Sequence, residues 1–378
     1  ENADKNTYFH ISDESGDVEQ YRKNCNVVRP LVKGFKTMDA TTSIQKYKEG
    51  MIDKIKKHIW LCVVAVTVAL LGCGRASAQV NTDQVMNIGR NAMYFEDYVL
   101  SIQYFNQVIS MKPYLAEPYF YRAVAKLNLG DYKGAEEDCS LALSRNPFII
   151  DAYQVRGVAR QTMRKYKEAI ADYSSGLKQL PEHKYFLINK AVCEVAVKDF
   201  DSAEKTYAQL MKLFPKFDNA YLGRAQLYLA KKDTVKALAD VDKSIELNKN
   251  EANAYVLRSE IKMRYEDDVQ SALNDMNEAI KLEPRYAGFF INRAFMKYKL
   301  DDYFGAMADY DYALSLEPTN VTAYYNRALL KMEVNENNKA IDDLSYVLKS
   351  DPQHVMARYN RASLYYKTGQ YKKAIGDY

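Results

Sequence analysis

A cation recurs at one place in a repeating apolar phrase. It reads "YFYRAVAK" at 119–126, "YQVRGVAR" at 153–160, "YLGRAQLY" at 221–228, "YVLRSEIK" at 255–262, "FINRAFMK" at 290–297, "AYYNRALL" at 323–330 and "RYNRASLY" at 358–365. The residues are Arg122, Arg156, Arg224, Arg258, Arg293, Arg327 and Arg361, with Lys190 in the equivalent slot. A guanidinium is a planar fork of N–H donors that keeps its charge at any physiological pH. It can bind a carboxylate or a phosphate through two parallel hydrogen bonds. Two uses compete: the arginines line a groove for an acidic ligand, or each meets an acid supplied by the chain.

Other residues that could do chemistry are scattered. The four histidines are His10, His58, His183 and His354, and no HExxH, paired CxxC or Gly-rich phosphate loop occurs. Cys139 and Cys193 fall in apolar helical slots, where a free thiol behaves as a small buried side chain. The sequence therefore offers no catalytic, cofactor-binding or metal-binding constellation, and an enzyme is not expected.

The elements that position the arginines follow from the prolines. Pro113, Pro147, Pro181 and Pro215 are evenly spaced, and Pro284, Pro318 and Pro352 resume the series after one extra residue near 265–271. The units are 82–115, 116–149, 150–183, 184–217, 218–251, 252–286, 287–320 and 321–354, with a partial ninth at 355–378. Each reads as two helices separated by a polar or glycine turn such as "GDY" at 130–132, and proline prevents the second helix from continuing. Paired small residues, such as Ala294 with Ala306, let the two helices approach closely.

The arginine occupies position 7 of its unit, and the turn falls near position 15. Both helices climb at the same rate, about 1.5 Å per residue, so position 23 lies level with the arginine on the antiparallel partner. That position holds Asp138, Asp172, Asp240, Asp275, Asp309, Asp343 and Asp377, one for each arginine. Unit 184–217 has Lys190 with Thr206, and unit 82–115 has Ile88 with Tyr104. The spacing predicts an arginine–aspartate pair along each helix seam: Arg122 with Asp138, Arg156 with Asp172, Arg224 with Asp240, Arg258 with Asp275, Arg293 with Asp309, Arg327 with Asp343 and Arg361 with Asp377.

Period, helix pair and anchor residues resemble the tetratricopeptide repeat. In 116–149 the matching residues are Tyr119, Ala123, Ala135, Ala142 and Pro147, and in 150–183 they are Tyr153, Gly157, Ala169, Tyr173 and Pro181. The resemblance covers 82–378, and the main departure is arginine in the leucine slot. It implies an all-α, right-handed superhelical solenoid of antiparallel helix pairs that binds a protein or peptide partner in its concave groove, as a scaffold or adaptor. The groove slots implied by the family hold Asn292, Phe295, Tyr298, Tyr325, Asn326, Tyr359 and Asn360. The amides could hydrogen-bond an extended peptide backbone. An alternative is a sensory or regulatory array serving an effector domain beyond residue 378. Unit 355–378 stops within its second helix, so the rest of that unit is expected to follow.

Residues 51–78 place a basic stretch, the apolar run Ile59–Leu71 and Ala76-Ser77-Ala78 in the order of a secretory signal peptide. That run is too short to cross a bilayer, which takes about 20 residues of helix. Cleavage after Ala78 would leave Gln79 first, in the periplasm or cell envelope. The rival "LLGC" at 70–73 would leave a lipidated Cys73, and only that or an uncleaved signal would attach the chain to a membrane. Residues 1–50 are then upstream of the true start or a separate tail. Of the net charge of +4, residues 51–78 carry +3 and residues 1–50 none. The near-neutral remainder lacks the positive excess of a nucleic-acid-binding surface.

Overall fold

In the computed structural model the described residues are 81–378. The expected leader at 51–78, the alternative start at Cys73 and the segment 1–50 lie outside them. The described residues fall into two compact units, 81–181 and 182–378. Both are built only of helices, eighteen α-helices among the described residues.

The first unit contains α1 (Thr82–Tyr94), α2 (Tyr98–Met111), α3 (Glu117–Asn128), α4 (Tyr132–Arg145), α5 (Ile150–Thr162) and α6 (Tyr166–Gln179). The second contains α7 (Lys184–Ala196), α8 (Phe200–Leu213), α9 (Asp218–Ala230), α10 (Thr234–Leu247), α11 (Ala252–Ile261) and α12 (Val269–Leu282). It continues with α13 (Ala287–Lys299), α14 (Tyr303–Leu316), α15 (Val321–Glu333), α16 (Asn337–Ser350), α17 (Val355–Lys367) and α18 (Tyr371–Asp377). Within each unit an odd-numbered helix pairs with the even-numbered helix that follows, and each pair packs on the next. This is the stacked helix-pair architecture in which every repeat buries its apolar faces against its neighbours.

Each pair is closed by the same turn. One residue between the two helices is left-handed: Glu96, Arg164, Lys198, Lys232, Asp267, Asp301 and Asn335 at φ between 51° and 62°, and Gly130 and Gly369 at 82° and 76°. That conformation ends the first helix. An aspartate commonly follows and caps the second helix; Asp131 accepts from the Gly134 amide at 2.9 Å and Asp302 from the Gly305 amide at 2.9 Å. At the other end the residue before each proline is extended, as Asn146 is at φ −143° and ψ 98°. Asn248 has nearly the same geometry although Lys249 follows it, so the loop does not depend on the ring.

The extra residue of unit 252–286 is absorbed in one place. After α11 the chain makes a π-helical turn over Lys262–Glu266, and Asp267 rather than residue 266 takes the left-handed position. Paired small residues form the closest contacts: Ala123, Ala135, Ala294, Ala306, Ala328 and Ala340 are fully buried. At Gly157 a Cβ would stand 2.4 Å from the Tyr173 ring, so only glycine fits beneath that ring.

Candidate functional site

The recurring arginines lie between helices, and each meets the aspartate on the second helix of its own pair. Arg327 donates from Nε and Nη2 to the two carboxylate oxygens of Asp343 at 2.9 and 2.7 Å. Arg293 does so to Asp309 at 2.8 and 2.7 Å, and Arg224 to Asp240 at 2.7 Å twice. Arg122 with Asp138, Arg156 with Asp172, Arg258 with Asp275 and Arg361 with Asp377 share this two-pronged geometry. Six of the aspartates are only 2–6% exposed, and Asp377 is half-buried.

Two further layers complete the network. A second cation, one helical turn after the arginine, grips the same carboxylate: Lys126 on Asp138 at 2.9 Å, Arg160 on Asp172 at 2.9 Å, Lys262 on Asp275 at 2.8 Å, Lys297 on Asp309 at 2.8 Å and Lys331 on Asp343 at 2.7 Å. In the other direction Nη1 of the arginine reaches back to the second helix of the preceding pair. The acceptors are Asn106, Ser140, Asp242, Asn277, Asp311 and Ser345, at 2.6–3.1 Å. An aromatic ring on the turn before covers the guanidinium of Arg122, Arg156, Arg258, Arg293 and Arg327, at 5.3–5.8 Å. Burial works against the charge of Arg258 and Arg327, but their carboxylate partners outweigh it and hold both groups above the ordinary arginine range.

Unit 184–217 solves the same problem differently. The buried acid has moved from the second helix to the first. Glu194 accepts from Lys190 at 2.6 Å and from the Thr206 hydroxyl at 2.8 Å, and Lys190 also reaches Thr206 at 3.2 Å. The pattern of position 7 against position 23 misses Glu194. Its signal was a carboxylate standing where other units place Lys126, Arg160, Lys262, Lys297 or Lys331.

The expected peptide groove is corrected. Phe295, Tyr298, Tyr325, Asn326 and Asn360 are buried, Asn292 is half-buried, and only Tyr359 is exposed. At one of these positions the side chain faces the adjoining pair. Asn360 Nδ2 donates to the Tyr325 hydroxyl at 3.3 Å, from α17 to α15. Asn326 stands in the same slot one unit earlier, where Ile291 takes the place of the tyrosine, and its Oδ1 is buried without a hydrogen-bond partner.

The remaining reactive side chains are structural. Cys139 and Cys193 are buried free thiols, and burial pushes both pKa values well above the usual range. His183 and His354 cap helices: Nδ1 accepts from the Phe186 amide at 3.3 Å and from the Ala357 amide at 3.1 Å. Among the described residues no group of three or more His, Cys, Asp or Glu side chains is placed to hold a metal. Among the same residues no helix is long and apolar enough to cross a membrane.

A sequence profile described as tetratricopeptide repeat matches residues 194–252 and 325–378. A comparison with curated proteins gave no match. Among solved structures, the chain is similar to one in the APC/C hetero-tetramer Cut9-Hcn1, at 17% identity and a TM-score of 0.53. That likeness covers 76% of this chain and 57% of the other, little more than half its length. A tetratricopeptide repeat protein from Parabacteroides merdae aligns at 20% identity and a TM-score of 0.49, over 66% of this chain and 98% of that one. At these identities the likeness is one of fold.

Proposed function

Two stretches of the described residues match the tetratricopeptide repeat, and from that premise we propose that the chain is an array of such repeats, a non-catalytic scaffold or adaptor for protein or peptide partners, exported to the bacterial cell envelope. The observation that carries the reading is the internal neutralisation of the arginines. Seven guanidiniums that could have formed a ladder for an acidic ligand each hold an aspartate of their own unit. What recurs in the sequence therefore builds the array, and partner choice falls to side chains that differ between units.

The most available of these are aromatic. Phe148 and Phe304 are 78% and 92% exposed, and Phe95 and Tyr114 also face solvent. Exposed aromatics supply contact area at low entropic cost and are favoured at binding surfaces. Export rests on the order of charge, apolar run and small residues in 51–78, and the mature chain would start at Gln79.

The test is a capture experiment with residues 79–378 as bait in envelope fractions, alongside the same bait carrying Phe148→Ala and Phe304→Ala. Capture of a discrete partner, reduced by the substitutions, is the expected result. Binding that the substitutions leave untouched would remove these aromatics from the proposal, and no capture above a blank matrix would overturn the scaffold reading. Sequencing the N-terminus of the exported protein tests its location. An intact 1–50 would overturn export, and a lipidated Cys73 would move the chain to a membrane surface.

A further inference from the structure

Within residues 182–378 the ionic ladder has one gap. Every pair from α11–α12 onward is tied internally by an arginine and an aspartate on opposite helices, and is tied to the pair before it by the third arginine donor. At α7–α8 the internal tie is missing. The ion pair there, Lys190 with Glu194, lies within α7, so separating α8 does not break it. Only the Thr206 hydroxyl crosses the seam to this network. On the other side of α8, Arg224 would seek its acceptor in the slot that Asp242, Asn277 and Asp311 fill for later arginines, but Ala208 stands there and offers none. The guanidinium of Arg224 instead packs over the Tyr228 ring at 5.5 Å. Among the described residues the ion pair from α8 to the next pair is Glu204 with Lys231 at 2.8 Å; both are substantially exposed, and such pairs contribute little.

We propose that α7–α8 is a built-in joint, the helix pair that opens first among those from α7 to α16. Separating any of the pairs from α11 to α16 must pull a half-buried guanidinium from a buried carboxylate, leaving each to find water. Separating α8 from α7 exposes apolar side chains and a hydroxyl but parts no ions. Local openings of a folded chain are drawn from its least-tied elements. A joint at this place gives the second unit a point of compliance when a partner is engaged, while the pairs from α11 to α16 stay rigid.

Amide hydrogen exchange on the folded chain tests this. Amides of α8 should exchange about tenfold faster than those of α14 and α16, which are equally long second helices within the array. Equal protection would overturn the joint. The seam can also be rebuilt with Lys190→Arg, Glu194→Lys and Thr206→Asp, which installs the pattern of Arg327, Lys331 and Asp343. The rebuilt chain should bring α8 most of the way to the protection of α16. A folded variant with unchanged α8 exchange would show that the seam does not set the opening. The converse exchange, Arg327→Lys with Lys331→Glu and Asp343→Thr, keeps the question open to measurement if the rebuilt chain does not fold. It should speed exchange in α16 by about tenfold, and no change would overturn the proposal.

Discussion

A guanidinium buried in a helix seam loses hydration that only a well-aligned counter-charge can return, and removing one partner strands the other. Arg327 is the clearest instance, since Asp343, Lys331 and Asp311 are all within hydrogen-bond distance of it or of its partner. A double-mutant cycle on Arg327→Ala and Asp343→Ala should return a coupling of roughly 0.5–3 kcal/mol, with the double variant less damaged than the sum of the singles. Additive effects would mean that the carboxylate is held mainly by Lys331. The arginine–aspartate spacing was legible because it follows from helix rise and turn position within one hairpin. The Nη1 contacts to the preceding pair were not, because docking between pairs leaves no simple period in the sequence. For the same reason the burial of Tyr325, Asn326 and Asn360 was not legible, nor the bond from Asn360 to Tyr325 of a neighbouring pair.

Glu136 gives a pH test. Burial disfavours its carboxylate, but hydrogen bonds from Lys165 at 2.6 Å and Arg160 at 2.9 Å outweigh it and hold its pKa below the usual range. A depressed folded pKa means stability that is present above the unfolded value, about 4.3, and lost as pH falls through the folded value. In chemical denaturation Glu136→Gln should therefore be less stable than wild type at pH 7, and the difference should shrink below about pH 4. A gap that persists unchanged at acid pH would assign the effect to packing.

At the scale of the helices, the turn between the two members of a pair is the most stereotyped feature, yet glycine fills its left-handed position only at Gly130 and Gly369. Elsewhere a residue with a Cβ adopts φ near +60°, at a cost of roughly 1 kcal/mol. Lys232 is one of these, at φ 62°, and is exposed. Lys232→Gly should raise the unfolding free energy of its unit by about 0.5–1 kcal/mol, less whatever the more flexible unfolded chain takes back. A loss of stability would show that the lysine side chain contributes more than its backbone costs. The turn residues marked the pair boundaries in the sequence. The π-helical turn at Lys262–Glu266 was visible only as a surplus of one residue, because composition does not say where a helix will widen.

At the scale of the molecule, stability in stacked repeats is a sum over units and their interfaces, so it need not be lost in one step. The lone tryptophan, Trp60, lies in the expected leader, which leaves residues 79–378 free of tryptophan. Tyr153→Trp and Tyr324→Trp would therefore each report one compact unit. Their denaturation midpoints should differ, and coincident transitions would mean that the array unfolds as a single cooperative body. The all-α helix-pair class was legible at this scale because it rests on a period repeated across the chain, whereas the division into 81–181 and 182–378 carries no signal in composition.

The ladder has a bearing on how such a gene can change length. An arginine such as Arg293 finds one partner, Asn277, in the block before its proline loop and another, Asp309, in its own block. A block of one repeat excised or copied between those loops, the one carrying Ala208 excepted, brings together half-contacts that already match, because Asn277, Asp311 and Ser345 each accept from the incoming donor. Unequal crossing-over in register would thus yield a longer or shorter array whose junction is hydrogen-bonded at birth. An unpaired residue inserted elsewhere would put every later donor out of step, unless a widened turn like that at Lys262–Glu266 takes up the surplus.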